Sequence, residues 1–189
     1  DIGCAYGPFL QAAADAGFTV SGIDISTEAV RYVVNELGFF AQTKDVTASE
    51  GVDLGGPYDV ITMWYVIEHF QQLDVVLRRI GGALRPGGLF AFSTPHAAGI
   101  SGKKDVREFL RRSPGDHYSV LTPKSASDLI RPFGFVTRAV RITGHHPERF
   151  DILPSRQKSR RGLGYHLVNA WSHVARRGDT FELIAEYRP

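Results

Sequence analysis

Two carboxylate–histidine pairs in this chain could carry chemistry: Glu68-His69 in "VIEHF" and Asp116-His117 in "SPGDHYS". An imidazole near neutral pH can take a proton from a hydroxyl, the work of a general base. His69 and His117, with Glu68 beside them, are therefore candidates for deprotonating or positioning a substrate. Each also has a plain structural reading: His69 under the helix that follows it, His117 bonded to loop backbone. A third stretch, "DIGCAYG" at residues 1–7, spaces Gly3 and Gly7 as in a turn that lets a ligand approach the backbone closely. Asp24, in "GIDIS", follows Gly3 by 21 residues and closes a short apolar run. An acid at such a strand end can accept hydrogen bonds from ribose hydroxyls, and it is costly there without a partner.

These residues need elements to hold them, and the apolar period supplies the elements. "PFLQAAADAG" reads as a helix with Pro8 in its first turn and Gly17 at its end. "FTVSGIDIS" reads as a strand, and Ser26 caps a helix over "TEAVRYVVNELG". "FFAQTKDV" is a third strand. "YDVITMWYVI" is a fourth, nearly all apolar as a strand covered on both faces should be. A helix from Gln71 to Ala83 stops at "LRPGG", and "GLFAFSTP" is the fifth strand. Two further helices, "KKDVREFLRR" and "KSASDLIRPFG", precede the strands "GFVTRAVRITG" and "DTFELIAEYR"; Ser125 or Ser127 is the expected cap of the second helix. The alternation predicts an α/β domain over residues 1–189, with a Rossmann-like, doubly wound sheet.

An insertion spans 144–178, between the last two strands. It opens on "GHHPERF", with His145, His146 and Arg149, which could shape a substrate pocket. A basic run from Arg156 to Arg161 follows and reads as a solvated loop. Leu163, Leu167, Ala170, Trp171 and Val174 then fall at helical spacing. Leu163, Tyr165, Leu167 and Trp171 are expected to be packing residues, and their helix could be a lid, a dimer face or a membrane-surface contact.

Composition narrows the class. A net charge of +2 does not demand a polyanionic partner, and one short basic run argues against a nucleic-acid surface. The lone Cys4 excludes an internal disulfide and a cysteine metal motif, and fits a reducing, cytoplasmic setting. No apolar run reaches the roughly 18 residues of a membrane span.

The turn discriminates between nucleotides. A dinucleotide fingerprint is G-x-G-x-x-G, whereas here Gly3, Ala5 and Gly7 follow Asp1 as D-x-G-x-A-x-G. An acid at that point repels a pyrophosphate and suits a ligand carrying an ammonium group. That opposes a nicotinamide cofactor and favours S-adenosylmethionine. The ordered series "DIGCAYG…GIDIS…KDV…YDVITMWYVIEHF…LRPGGLFAFSTP" resembles the motifs of class I S-adenosylmethionine-dependent methyltransferases.

The resemblance implies a seven-stranded sheet, parallel except for the last strand, and an apolar first strand ahead of Asp1. It places Asp1, Gly3, Ala5, Tyr6 and Gly7 around the methionine part of S-adenosylmethionine. Asp24 falls on the ribose, Ile25, Asp45 and Val46 about the adenine, and Trp64 near the methionine. It implies transfer of a methyl group to a small-molecule acceptor, at oxygen if a histidine removes a proton. An RNA acceptor, or a module that holds the cofactor without methyl transfer, are the alternatives. Glu68-His69 with the later Asp-His resembles ubiquinone-pathway O-methyltransferases and plant small-RNA 2′-O-methyltransferases. In the latter a metal is held by position 65, Glu68, His69 and His117. Here position 65 is Tyr65, so no metal is expected.

Overall fold

A computed structural model describes residues 1–48, 52–149 and 162–189. The helices are α1 (Pro8–Asp15), α2 (Thr27–Asn35), α3 (Leu73–Ala83), α4 (Ile100–Lys104), α5 (Val106–Arg112), α6 (Pro123–Ile130) and α7 (Leu163–Val174). The strands are β1 (Ser21–Asp24), β2 (Phe40–Thr43), β3 (Tyr58–Trp64), β4 (Leu84–Pro95), β5 (Phe135–Thr143) and β6 (Thr180–Tyr187). β1 and β2 pair in parallel, and the other four strands run in the order β3-β4-β6-β5. Only β6 opposes its neighbours. Ile2 bridges Ile23 and Met63 in parallel, so it stands between the two sets of strands. The expected Rossmann-like sheet with an antiparallel last strand is present. The expected seven strands are six, with the seventh place held by the Ile2 bridge alone among the described residues.

The core explains the strand composition. Ile61, Met63, Phe90, Phe92, Phe181 and Leu183 are buried, and α3 and α6 cover them with Val76, Leu77, Ile80, Ala126 and Ile130. Apolar side chains at successive β3 and β4 positions therefore find cover on both faces, and their burial supplies the main favourable free energy.

Helix ends follow local chemistry. Ser26 Oγ accepts from the Ala29 amide, as expected of a cap. α6 departs from expectation: Thr122, not Ser125 or Ser127, is the cap. Thr122 and Ser125 each accept the other's backbone N–H, and the reciprocal pair satisfies two amides at once. "KKDVREFLRR" is two helices, because Asp105 takes extended backbone and its carboxylate accepts from the Glu108 amide. β4 starts at Leu84, ahead of the expected point, pairing with Tyr58 before a register shift.

The insertion holds the largest correction. The basic run Arg156 to Arg161 lies outside the described residues. In α7 the residues expected to pack are mostly turned outward: Leu163 is 77 % exposed, Leu167 62 % and Trp171 49 %, with Tyr165 half-buried; Val174, at the same helical spacing, is 86 % exposed. Ser172 is the buried residue of this helix, its hydroxyl donating to the Asn169 carbonyl 2.8 Å away.

Candidate active site

At the carboxyl ends of β1 and β3 the chain folds around a cleft of about 780 Å³. The turn after Ile2 forms one wall. Gly3 has φ of 75°, and a Cβ there would collide with Cγ2 of Val66, so only glycine closes this turn. The Gly3 and Cys4 amides both donate to the Ile23 carbonyl, which ties the turn to β1. Asp24 finishes the tie: its Oδ2 accepts from the Ala5 amide at 2.8 Å and its Oδ1 from the Ser26 amide at 2.8 Å. One carboxylate thus spans the ligand-side turn and the start of α2. Ala5 sits at φ of 45°, a conformation that a residue with a Cβ adopts at a cost.

Gly3, Ala5, Asp24, Ile25, Asp45, Val46, Trp64 and His69 line this cleft. Ile25 is strongly exposed, while Val46 is buried and belongs to the core. The Thr47 hydroxyl and amide both donate to Asp45 Oδ1 at 2.7 Å, and these bonds hold the Asp45 carboxyl below the usual carboxylate range. Trp64 packs on Phe9, ring centroids 4.9 Å apart, and its buried indole N–H has no acceptor among the described residues. Three residues of the first turn face elsewhere. The Asp1 carboxylate accepts from the Thr62 hydroxyl at 2.7 Å, bracing the turn against β3. The Tyr6 hydroxyl donates to Glu28 at 3.2 Å. Gly7 is the N-cap of α1, where a Cβ would press on Leu37 and Val33.

The two carboxylate–histidine pairs converge although 48 residues separate their histidines. Glu68 and His69 lie in a short 3₁₀ turn after β3, and the Glu68 carbonyl accepts from the amides of Tyr118 and Ser119. That clasp brings the His117 ring edge-on to His69, centroids 4.7 Å apart. His69 Nδ1 lies 3.1 Å from Asp116 Oδ2. Glu68 is buried and its Oε2 has no hydrogen-bond partner among the described residues. Burial pushes its carboxyl above the usual range, opposed by its own backbone amide, by Thr94 and by the two imidazoles. His69 lines the first cleft, and His117 lines a second one of about 640 Å³. Pro95 at the end of β4, Phe109 and Arg112 of α5, and Glu148 and Arg149 of the insertion also line the second cleft. Asp179 fixes Arg149 there: it is buried and also accepts from the Ser101 amide and hydroxyl.

Against known proteins, a family model described as a methyltransferase domain matches residues 1–140, about three quarters of the chain. The chain belongs to the class I S-adenosylmethionine-dependent methyltransferases. It is 26 % identical over 157 residues to a ubiquinone biosynthesis O-methyltransferase of Thiobacillus denitrificans, covering 78 % of this chain and 68 % of that one. A protein of the same name from Ralstonia nicotianae is 27 % identical over 157 residues, covering 78 % and 66 %. Among solved structures, a SAM-dependent methyltransferase from Archaeoglobus fulgidus superposes with a TM-score of 0.68 at 17 % identity, covering 98 % of this chain and 84 % of that one. The putative methyltransferase in a Haloferax volcanii complex with the Trm112 methyltransferase activator gives 0.70 at 15 % identity, covering 100 % and 81 %.

The first cleft fits the cofactor of this methyltransferase family on its own features. The glycine turn leaves space where a side chain would intrude, Asp24 keeps acceptor capacity beyond its two backbone bonds, and the Trp64 indole lacks a partner among the described residues. The histidine cluster has a second chemical capacity. Glu68, His69 and His117 each offer one ligand atom, all within 4.8 Å of one another, so together they could hold a divalent metal. Tyr65 supplies no carboxylate to them and has φ of 58° at the cleft edge. Residues that sequence reasoning missed in the first cleft are Lys44, Thr47, Gln72 and Tyr118. Lys44 and Thr47 flank the Asp45 motif, which was a usable signal. Gln72 and Tyr118 carried none, since they enter through loop packing.

Proposed function

We propose that this methyltransferase moves a methyl group to an oxygen of a small molecule seated in the second cleft. The observation that carries this reading is the edge-on His69–His117 pair, one ring lining each cleft. Relatives named ubiquinone biosynthesis O-methyltransferases support an oxygen acceptor. When bound, S-adenosylmethionine supplies a methyl group on a sulfonium, which is its own leaving group. The chain's part is then to orient the acceptor and accept its proton.

Asp24 fixes the nucleoside end, and the Gly3–Ala5 turn borders the methionine end. Arg149, held by Asp179, and Arg112 border the acceptor side. Asp116 engages His69 Nδ1, which fixes the ring and leaves Nε2 to receive the acceptor's hydroxyl proton. With S-adenosylmethionine bound, its sulfonium would supply the methyl and leave as S-adenosylhomocysteine, while His69 would hold the proton given up by the acceptor oxygen. The test is transfer of labelled methyl to paired hydroxyl and amine acceptors. Transfer to the hydroxyl is expected, with His69→Ala and His117→Ala lowering kcat about 100-fold or more and leaving S-adenosylhomocysteine affinity unchanged. Transfer only to amines, or histidine variants with full kcat, overturns the proposal.

A further inference from the structure

Helix α7 is built inside out. A surface helix of a globular protein turns its apolar stripe to the core and its polar residues to water. Here the buried position is Ser172, whose hydroxyl lies 2.9 Å from His145 Nδ1, and Asn169 is half-buried on the same side. The exposed positions 163, 167, 171 and 174 carry Leu, Leu, Trp and Val at successive helical turns. An apolar stripe of this length on a soluble surface marks a contact. Charge identifies the contact. From Gly162 to Gly178 there is no Asp or Glu, while Arg176 and Arg177 follow the helix directly. A second copy of this chain would bring two such cationic sets together, which is repulsive. An anionic surface would be attracted.

We propose that α7 is a membrane-surface helix, lying in the interface of a bilayer that contains anionic lipid. Apolar side chains including a Trp on one face, a basic pair at one end and no acid are features that hold a helix in that plane. The described helix has twelve residues and no described helix is long and apolar enough to cross a membrane, so the contact is parallel to the surface. α7 also packs on the turn Pro147–Arg149, two of whose residues line the second cleft. Docking of α7 would therefore bring that cleft to the lipid surface.

The experiment is co-sedimentation of the protein with vesicles of phosphatidylcholine alone and of phosphatidylcholine mixed with phosphatidylglycerol. Trp171 emission is followed in parallel. Binding to the mixed vesicles is expected, with a blue shift that Trp171→Phe removes, and with release in high salt. Leu167→Asp with Val174→Asp should abolish binding. Arg176→Gln with Arg177→Gln should weaken it about tenfold or more. Both pairs are on the surface, and circular dichroism checks that they fold. No binding to either vesicle, equal binding to both, or retention by the aspartate variant overturns the proposal. So does a solution dimer that the aspartate variant dissociates, which would give this face to a second copy.

Discussion

Replacing Asp24 by Asn separates the two tasks assigned to this side chain. The carboxylate accepts two backbone amides, from Ala5 and Ser26, one on each oxygen. Two carboxylate oxygens offer about four acceptor sites, so about two remain for ribose hydroxyls. Asparagine keeps one oxygen and turns an NH₂ group toward the other amide. One backbone N–H then loses its acceptor, and the bond that remains is neutral. Hydrogen bonds to charged groups contribute about 1.5–3 kcal/mol, and the half-exposed position of Asp24 puts the folding loss at the low end, about 1–1.5 kcal/mol. The ligand loses a charge-assisted bond of the same order, and each 1.4 kcal/mol is tenfold. The expected Kd for S-adenosylhomocysteine rises roughly 10-fold to 100-fold. Titration calorimetry gives the affinity, and urea unfolding of the same sample gives the stability. A Kd within about threefold of wild type, with the fold intact, refutes the role of Asp24 in holding the nucleoside.

Three other outcomes are expected. Ala5→Gly relieves a left-handed residue at about 1–2 kcal/mol and loosens the unfolded chain by about 0.4–1 kcal/mol; the net gain of about 0.5 kcal/mol is measurable by denaturant unfolding, and a net loss contradicts the strain. Glu68→Gln tests burial of the acid. Because the folded-state carboxyl titrates above the ordinary 4.5, wild-type stability is fullest below that pH and falls as pH rises through the folded value. The Gln variant should lack this fall and be the more stable protein at neutral pH, with methyl transfer impaired; a less stable variant at neutral pH means that a cation compensates the charge. Asp179→Ala removes the acceptor of Ser101 and Arg149 from a buried site, and a loss of about 2–4 kcal/mol in thermal or urea unfolding is expected, with weaker acceptor binding in the second cleft.

Much of the fold could be read from residue order. Largely apolar runs at Ile61–Trp64 and Leu89–Phe92 belong to strands covered on both faces, and Ser26 marks the start of α2 by local chemistry alone, whereas α2 ends at Asn35, ahead of the expected Gly38. What failed was information that pairing carries. Two serines in "KSASD" look equally like caps, and only the reciprocal bonds with Thr122 decide between them and it. Asp24, Ile25 and Trp64, which line the first cleft, were legible because they sit at strand ends, where the sheet itself delivers them. Asp1, Tyr6 and Gly7 belong to the same motif, yet they brace the turn and do not line the cleft, a difference of side-chain direction that spacing does not encode. The meeting of His69 with His117 depends on loop backbone bonds to Glu68, and the second cleft on residues from α5 and the insertion. The helical period of α7 was plain, but period cannot tell which side of a stripe faces the protein.

The clasp between the Glu68 carbonyl and the amides of Tyr118 and Ser119 has a kinetic meaning. It makes the floor of one cleft and the wall of the other a single piece of backbone. With donor and acceptor in the two clefts as proposed, a nucleoside that settles the turn after β3 would also settle the loop carrying His117, and the acceptor would meet a finished wall only once the first site is filled. Such wiring favours compulsory order, with the donor first on and its spent form last off.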